Sequence, residues 1–255
     1  MIGLRRFIIC ILLASICAFS VLAPGTAASR DLVVLGEPSL MNALRSVAAL
    51  WQARSGQRVN VFVAPTDLSY AQIERGARCD VIFALAGVET NEAAPRKIIH
   101  ADTVSRIFRN GLALIGGEQA APVAAPLDIA RLIDRKRVAI GNPDRDISGA
   151  RALEFLGKVG FAAQASANNL MVAESSAGVA DLIATGKVPF GIVYSSDAIP
   201  RFKPIAALPL DQGPIEFIVA TARDPQVDTR EFLLFLRSAP VKNAFTSAGL
   251  DPIGQ

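Results

Sequence analysis

The chain has 255 residues, 51% of them hydrophobic, with 26 Lys and Arg against 23 Asp and Glu. That size and apolar share allow one large packed domain or two small ones, and the near balance of charge argues against a nucleic-acid-binding or strongly acidic surface. His100 is the only histidine, which argues against a histidine-based triad or a multi-histidine metal site.

Arg5 and Arg6 precede an almost wholly apolar run from Phe7 to Leu22, and the small residues Thr26-Ala27-Ala28 follow. Basic region, apolar stretch and small-residue site together read as a secretory signal peptide, residues 1–28, cleaved near Ala28. The run is short for a membrane span. Neither Cys10 nor Cys17 follows the small residue that a lipoprotein signal needs, so a soluble exported protein is expected. Cleavage leaves about 227 residues and an excess of about one basic residue. Only Cys79 then remains, so no intramolecular disulfide can form. Lying beside Asp80 at the start of an apolar strand, it reads as a buried, inert thiol.

Strands and helices alternate from there on. Leu32–Leu35 is a strand, and Leu40, Ala43, Leu44, Val47, Leu50 and Trp51 recur at helical spacing until Ser55-Gly56. Between them Ser39 stands as the expected N-cap. Val59, Val61 and Val63 mark a second strand. Pro65-Thr66-Asp67 opens a helix through Tyr70 and Ile73 that Gly76 closes. Val81–Leu85 is a continuous apolar run, as for a strand buried on both faces. Residues 89–97 are polar and read as a partly helical surface segment. Asn110–Gly116 is a strand bracketed by glycines, and Glu118 to Pro126, rich in Ala and Pro, is a loop. Leu127 to Arg135 is a short helix, and Val138–Ile140 is a strand broken sharply by Gly141-Asn142-Pro143. Ser148 opens one helix and Ser175-Ser176 another, which ends at Gly186. Phe190–Tyr194 is a strand that stops at Ser195-Ser196-Asp197, Ile215–Ala220 is a further strand, and two amphipathic helices close the chain. The alternation predicts an α/β fold with mostly parallel sheets. In such sheets ligands sit at the carboxyl ends of strands, where helices begin.

Four strand-to-helix turns carry a hydroxyl at the helix start: Ser39, Thr66, Ser148 and Ser176. A fifth hydroxyl, Tyr194, ends a strand. Taken alone, each of the four is compatible with an ordinary helix cap. Taken together, hydroxyls and unpaired backbone N–H groups at helix N-termini also make an anion site.

Five segments, in the same order, resemble the molybdate-binding periplasmic proteins of ABC transporters. Ser39-Leu40-Met41-Asn42-Ala43-Leu44 is similar to that family's Ser-Leu-x-Asn-Ala-Leu opening. Gln72-Ile73-Glu74-Arg75-Gly76-Ala77-Arg78-Cys79-Asp80-Val81 resembles its Gln-Ile-Glu-x-Gly-Ala-x-x-Asp-Val segment. Asn110, Leu112 and Leu114 resemble its Asn-x-Leu-x-Leu strand, and Ala139-Ile140-Gly141-Asn142-Pro143 with Ser148-Gly149 its Ala-Ile-Gly-Asp-Pro and Ala-Gly pair. Gly191-Ile192-Val193-Tyr194-Ser195-Ser196-Asp197-Ala198 is close to its Gly-Ile-Val-Tyr-x-x-Asp-Ala signature.

The resemblance implies a periplasmic, two-lobed binding-protein fold with a hinge: lobe one over 29–109 plus 206–255, lobe two over 110–205. It implies a tetrahedral oxyanion bound between the lobes by Ser39 and Thr66 from one side and Ser148, Ser176 and Tyr194 from the other. No cofactor, cation site or catalytic residue is implied. The implied partner is an inner-membrane ABC permease, and the family's usual state is a monomer. The chain departs from the family at Glu37-Pro38, where two small residues are usual, and at Thr66, where consecutive small hydroxyl residues are usual. Ser148 stands for Ala, and Phe83-Ala84-Leu85-Ala86 lacks the expected Ser-Ala-Asp. A carboxylate beside a buried anion is unfavourable unless it is protonated, averted or paired, so Glu37 leaves open a different solute bearing an amine or hydroxyl. A periplasmic hydrolase is the remaining reading, disfavoured because no Gly-x-Ser-x-Gly elbow is present.

Overall fold

The computed structural model describes residues 30–87, 97–117, 122–123, 126–161, 169–199, 201–210 and 213–253. The expected signal peptide and most of the 89–97 and 118–126 segments lie outside these. Among the described residues no helix is long and apolar enough to cross a membrane.

The structure is α/β with two sheets. Strand β1 (Leu32–Gly36) is buried along its whole length, which explains its unbroken apolar run. It leads through a three-residue 3-10 turn, Pro38–Leu40, into α1 (Met41–Ser55). Ala43, Leu44, Val47 and Trp51 form the buried stripe of that helix, and Gly56 ends it at φ 74°. Strand β2 (Val59–Val63), helix α2 (Thr66–Glu74) and strand β3 (Val81–Leu85) follow. Then come β4 (Ser105–Asn110), β5 (Leu112–Gly116), α3 (Pro126–Ile133) and β6 (Val138–Gly141). Helix α4 (Ile147–Lys158), β7 (Leu170–Ala173), α5 (Ser176–Ala184), β8 (Phe190–Tyr194) and the one-turn α6 (Ser195–Ala198) come next. The chain closes with β9 (Ala206–Leu208), β10 (Ile215–Thr221), α7 (Arg230–Phe235), α8 (Ala239–Ser247) and β11 (Leu250–Pro252).

The first sheet has the order β11-β4-β10-β3-β1-β2 and the second β7-β6-β8-β5-β9. The chain leaves the first sheet between Asn110 and Leu112 and returns to it between Leu208 and Ile215. The sheets are more mixed than the sequence suggests, because four of the nine pairings among the described strands are parallel. Helical crossovers make β1, β2 and β3, and likewise β6, β7 and β8, parallel. The strands that carry the chain between sheets, β4, β5, β9 and β10, have no such crossover and pair antiparallel.

The junction between the sheets is hydrogen-bonded. Asn110 is fully buried, donates to Ser196 Oγ at 2.8 Å and accepts from Ser196 N–H. Ser195 N–H donates to the Gly111 carbonyl at 2.9 Å. Below the first sheet lies an aromatic cluster in which Phe108 packs on Phe83, Phe217 and Phe245 at centroid distances of 6.3, 5.4 and 4.7 Å. Trp51 joins α1 to α7 through Phe232 and Phe235, at 5.3 and 5.2 Å. Cys79 is buried, and burial pushes its thiol up to about 12, in keeping with an inert side chain. Buried Asp80 ties three segments together by accepting Val33 N–H at 2.8 Å, Gln226 N–H at 2.5 Å and Arg78 Nη2 at 3.3 Å.

Gly149 lies where α4 meets the end of β6, and a Cβ there would collide with the Gly141 carbonyl. Gly149→Ala is therefore expected to cost about 1–3 kcal/mol, the usual range for overpacking. Urea unfolding checks this. An unchanged midpoint would show that α4 can lift off the strand without penalty.

Candidate ligand-binding cleft

A cavity of about 460 Å³ opens where the two sheets face each other, lined by the turns after β1, β2, β6, β7 and β8. A larger groove of about 610 Å³ lies between β4 and α8 and contains none of the expected site residues. Ser39, Thr66, Ser176 and Tyr194 all line the smaller cavity. Ser148 is fully buried beside it, in the first turn of α4.

The hydroxyls are not the caps that the sequence suggests. Ser39 sits inside the 3-10 turn, whose N-cap is Glu37. Thr66 and Ser176 are the first residues of their helices, after Pro65 and Ser175, and Ser148 is the second residue of α4, after the cap Asp146 and Ile147. Thr66 and Ser176 therefore stand one position past the cap and Ser39 and Ser148 two, each with its backbone N–H among the first N–H groups of a helix start, which have no intrahelical acceptor.

Most of these donors already have an acceptor. Glu37 Oε1 accepts from both the N–H of Thr66, at 2.5 Å, and its hydroxyl. The Thr66 oxygen itself accepts Leu85 N–H at 3.1 Å. Asp146 Oδ1 accepts Ser148 N–H at 2.8 Å and Ser148 Oγ at 2.7 Å, while its Oδ2 accepts Ser176 N–H at 2.8 Å. Ser176 Oγ accepts Tyr194 N–H at 2.8 Å and bonds the carboxyl of Asp197. Ser39 is the exception, since its Oγ is buried without a hydrogen-bond partner among the described residues.

The walls are acidic. Glu37, Asp67, Asp146, Glu174 and Asp197 line the cavity, and Arg145 is the one cationic residue there among the described residues. Burial pushes the Glu37 carboxyl up to about 7, the Thr66 bonds oppose this, and the charges of Asp146 and Asp67 add to it. Burial also raises Asp197, and it holds the Tyr194 hydroxyl well above its usual range, with Asp146, Glu37 and Asp197 pushing the same way. At neutral pH Tyr194 is thus a neutral hydrogen-bond donor. Among the described residues no cluster of three or more His, Cys, Asp or Glu side chains is placed to hold a metal ion.

The sequence reading missed Asp146. Its signal was an ordinary one, an Asp two residues before Ser148 at a helix start, and its reach to Ser176 across the cleft wall is visible only in the fold. His100 lies elsewhere, with Nε2 3.0 Å from the Arg223 carbonyl, and does not line the cavity.

The chain is 27% identical over 210 residues to the "Molybdate-binding protein ModA" of Escherichia coli (strain K12), covering 80% of this chain and 81% of that protein. It is 25% identical over 233 residues to the protein of the same name from Haemophilus influenzae, covering 88% and 91%. Its fold is similar to that of the Azotobacter vinelandii periplasmic molybdate-binding protein, with a TM-score of 0.72 at 16% identity over 88% of this chain and all of that one. The two sheets with a cleft between them are thus a two-lobed binding-protein fold. The family description "Bacterial extracellular solute-binding protein" matches residues 32–251, and the chain belongs to that family.

Proposed function

We propose that the protein captures a tetrahedral oxyanion of the molybdate class outside the cytoplasmic membrane and presents it to an ABC permease. The observation that carries this is the convergence of Ser39, Thr66, Ser176 and Tyr194 on one cavity, with Ser148 beside them. The starts of α2, α4 and α5 and a neutral phenol surround the cavity beside a single arginine, and bonds to a charged acceptor are each worth roughly 1.5–3 kcal/mol. The buried, unpartnered Ser39 hydroxyl is a donor available to such a ligand. The molybdate-binding names of the relatives support the same solute.

Lobe one comprises the first sheet and lobe two the second. They close on the solute by bending at the Asn110–Gly111 crossing and its return partner. The protein works as a periplasmic monomer, freed of its signal peptide, and is a carrier without catalytic function. His100 stands outside the cleft, so the nucleophilic chemistry of a hydrolase has no imidazole there.

A second reading keeps the cleft and changes the solute. Five carboxylates against one arginine favour a ligand that brings its own donors, such as an amine held by Glu37 and Asp146.

Calorimetric titration at pH 6 with molybdate, tungstate, sulfate and phosphate separates the two. Molybdate or tungstate is expected to bind well below millimolar. If all four anions bind no tighter than millimolar, the oxyanion assignment fails and amine-bearing solutes become the next panel.

A further inference from the structure

Thr66 cannot serve an ionised Glu37 and an anion at once. A threonine hydroxyl has one hydrogen, and that hydrogen points at Glu37 Oε1. The Thr66 N–H points at the same oxygen. The hydroxyl's accepting side is engaged by Leu85 N–H, which fixes the direction in which it donates. With Glu37 charged, Thr66 has neither its N–H nor its hydroxyl to give to an incoming anion, and a negative charge stands beside it.

Asp146 plays a similar part on the opposite wall, but it also caps its own helix α4. Glu37 makes no side-chain cap bond to its own turn, so its carboxyl can change partners without unravelling an element. We propose, on the oxyanion reading above, that Glu37 is a proton-linked gate of the cleft. Capture of the anion is coupled to uptake of one proton from solvent by Glu37, which then releases the Thr66 N–H and hydroxyl to the ligand. The step makes one O–H bond on Glu37 and exchanges two hydrogen bonds from its carboxylate to the anion. The neutral carboxyl, now itself a donor, no longer repels the ligand.

The surroundings suit this role. Asp67 on α2, Arg145 and Asp146 before α4, Glu174 before α5, and Tyr194 and Asp197 around the end of β8 share the cavity with Glu37. Negative groups outnumber the single arginine, so the environment favours the protonated carboxyl. Burial above all, with the charges of Asp146 and Asp67 adding to it and the Thr66 bonds opposing it, pushes the Glu37 carboxyl up to about 7. Asp197 is the other carboxyl in the cleft that burial raises, and it is bonded to Ser176, on the other wall.

The sign follows. Well above pH 7 Glu37 is ionised and anion binding must draw in a proton, so the dissociation constant falls about tenfold for each unit of pH lowered. Below about pH 6 the carboxyl is already neutral and the affinity levels off.

The experiment is calorimetric titration of the full chain with sodium molybdate from pH 6 to 8.5, repeated at pH 8 in two buffers of different ionisation enthalpy. The wild-type protein is expected to take up about one proton per anion at pH 8 and to show the tenfold-per-unit slope. Glu37→Gln is expected to bind with a flat pH profile and no proton uptake. Wild-type binding that is independent of pH and buffer overturns the proposal and leaves the oxyanion reading intact. A Glu37→Gln protein that keeps the slope also overturns it, since the proton then goes to Asp197 or another group. Failure of molybdate, tungstate, sulfate and phosphate to bind either protein at any pH overturns the oxyanion reading and the proposal with it. The buffer comparison uses the wild-type protein alone, so it stands even if the variant folds poorly.

Discussion

Asp146→Ala is expected to lower the unfolding free energy by about 2–4 kcal/mol. The side chain accepts three hydrogen bonds, from Ser148 N–H, Ser148 Oγ and Ser176 N–H, and Ser148 is fully buried while Ser176 is nearly so. Alanine removes a helix cap, worth about 0.5–2 kcal/mol, and strands donors that water cannot easily reach, at roughly 1–3 kcal/mol for each group left unsatisfied. Relief of repulsion on the Glu37 and Asp197 carboxyls offsets part of this. Urea unfolding of wild type, Asp146→Ala and Asp146→Asn is the measurement. Asparagine keeps one acceptor oxygen, so it is expected to fall between the other two. Equal midpoints for all three would mean that the α4 and α5 starts do not depend on this carboxylate.

The second large effect is in the core. Phe108 is fully buried and touches three other aromatic rings, linking β4 to β3, β10 and α8. Truncation removes both the transferred surface and those ring contacts, and Phe108→Ala is expected to cost about 3–5 kcal/mol. In a chain of this size that corresponds to roughly 10 °C in melting temperature. Scanning calorimetry reads the shift. A loss under about 1 kcal/mol would show that the cluster collapses around the gap and that the core under the first sheet is looser than its packing implies.

Phe108 also marks the boundary of what the sequence discloses. Strands with one dominant cue were legible: β1, β3 and β8 as apolar runs, and α1 and α5 by helical spacing with glycine stops. Strand β4 was not, because Arg106 and Arg109 break its apolar pattern. Those arginines are stabilised by Glu216 of the neighbouring strand β10, 110 and 107 residues away along the chain. Strands β7, β9 and β11 have three or four residues each and owe their extended form to partner strands rather than to local preference.

The site divides in the same way. The hydroxyl-bearing turns could be named from sequence because a helix start is a local event. Which carboxylate holds which donor could not, because Glu37 reaches Thr66 across 29 residues and Asp146 reaches Ser176 across 30. Glu37 was recognised as the odd residue beside a prospective anion. Its partner, Thr66, came from the fold.

Trp51 is the only tryptophan in the chain, and its place among Phe232 and Phe235 has a practical consequence. It stands ten residues along α1 from the helix start at Met41, about 15 Å from the cleft end of that helix. Its intrinsic fluorescence therefore follows melting of the first lobe and stays nearly silent when a solute enters. On the binding reading proposed above, the expected optical reporter of occupancy is Tyr194, one of two tyrosines and the one lining the cleft, because near-ultraviolet absorbance of a phenol responds to hydrogen bonding at its hydroxyl. Two wavelengths thus separate folding from loading in a single cuvette.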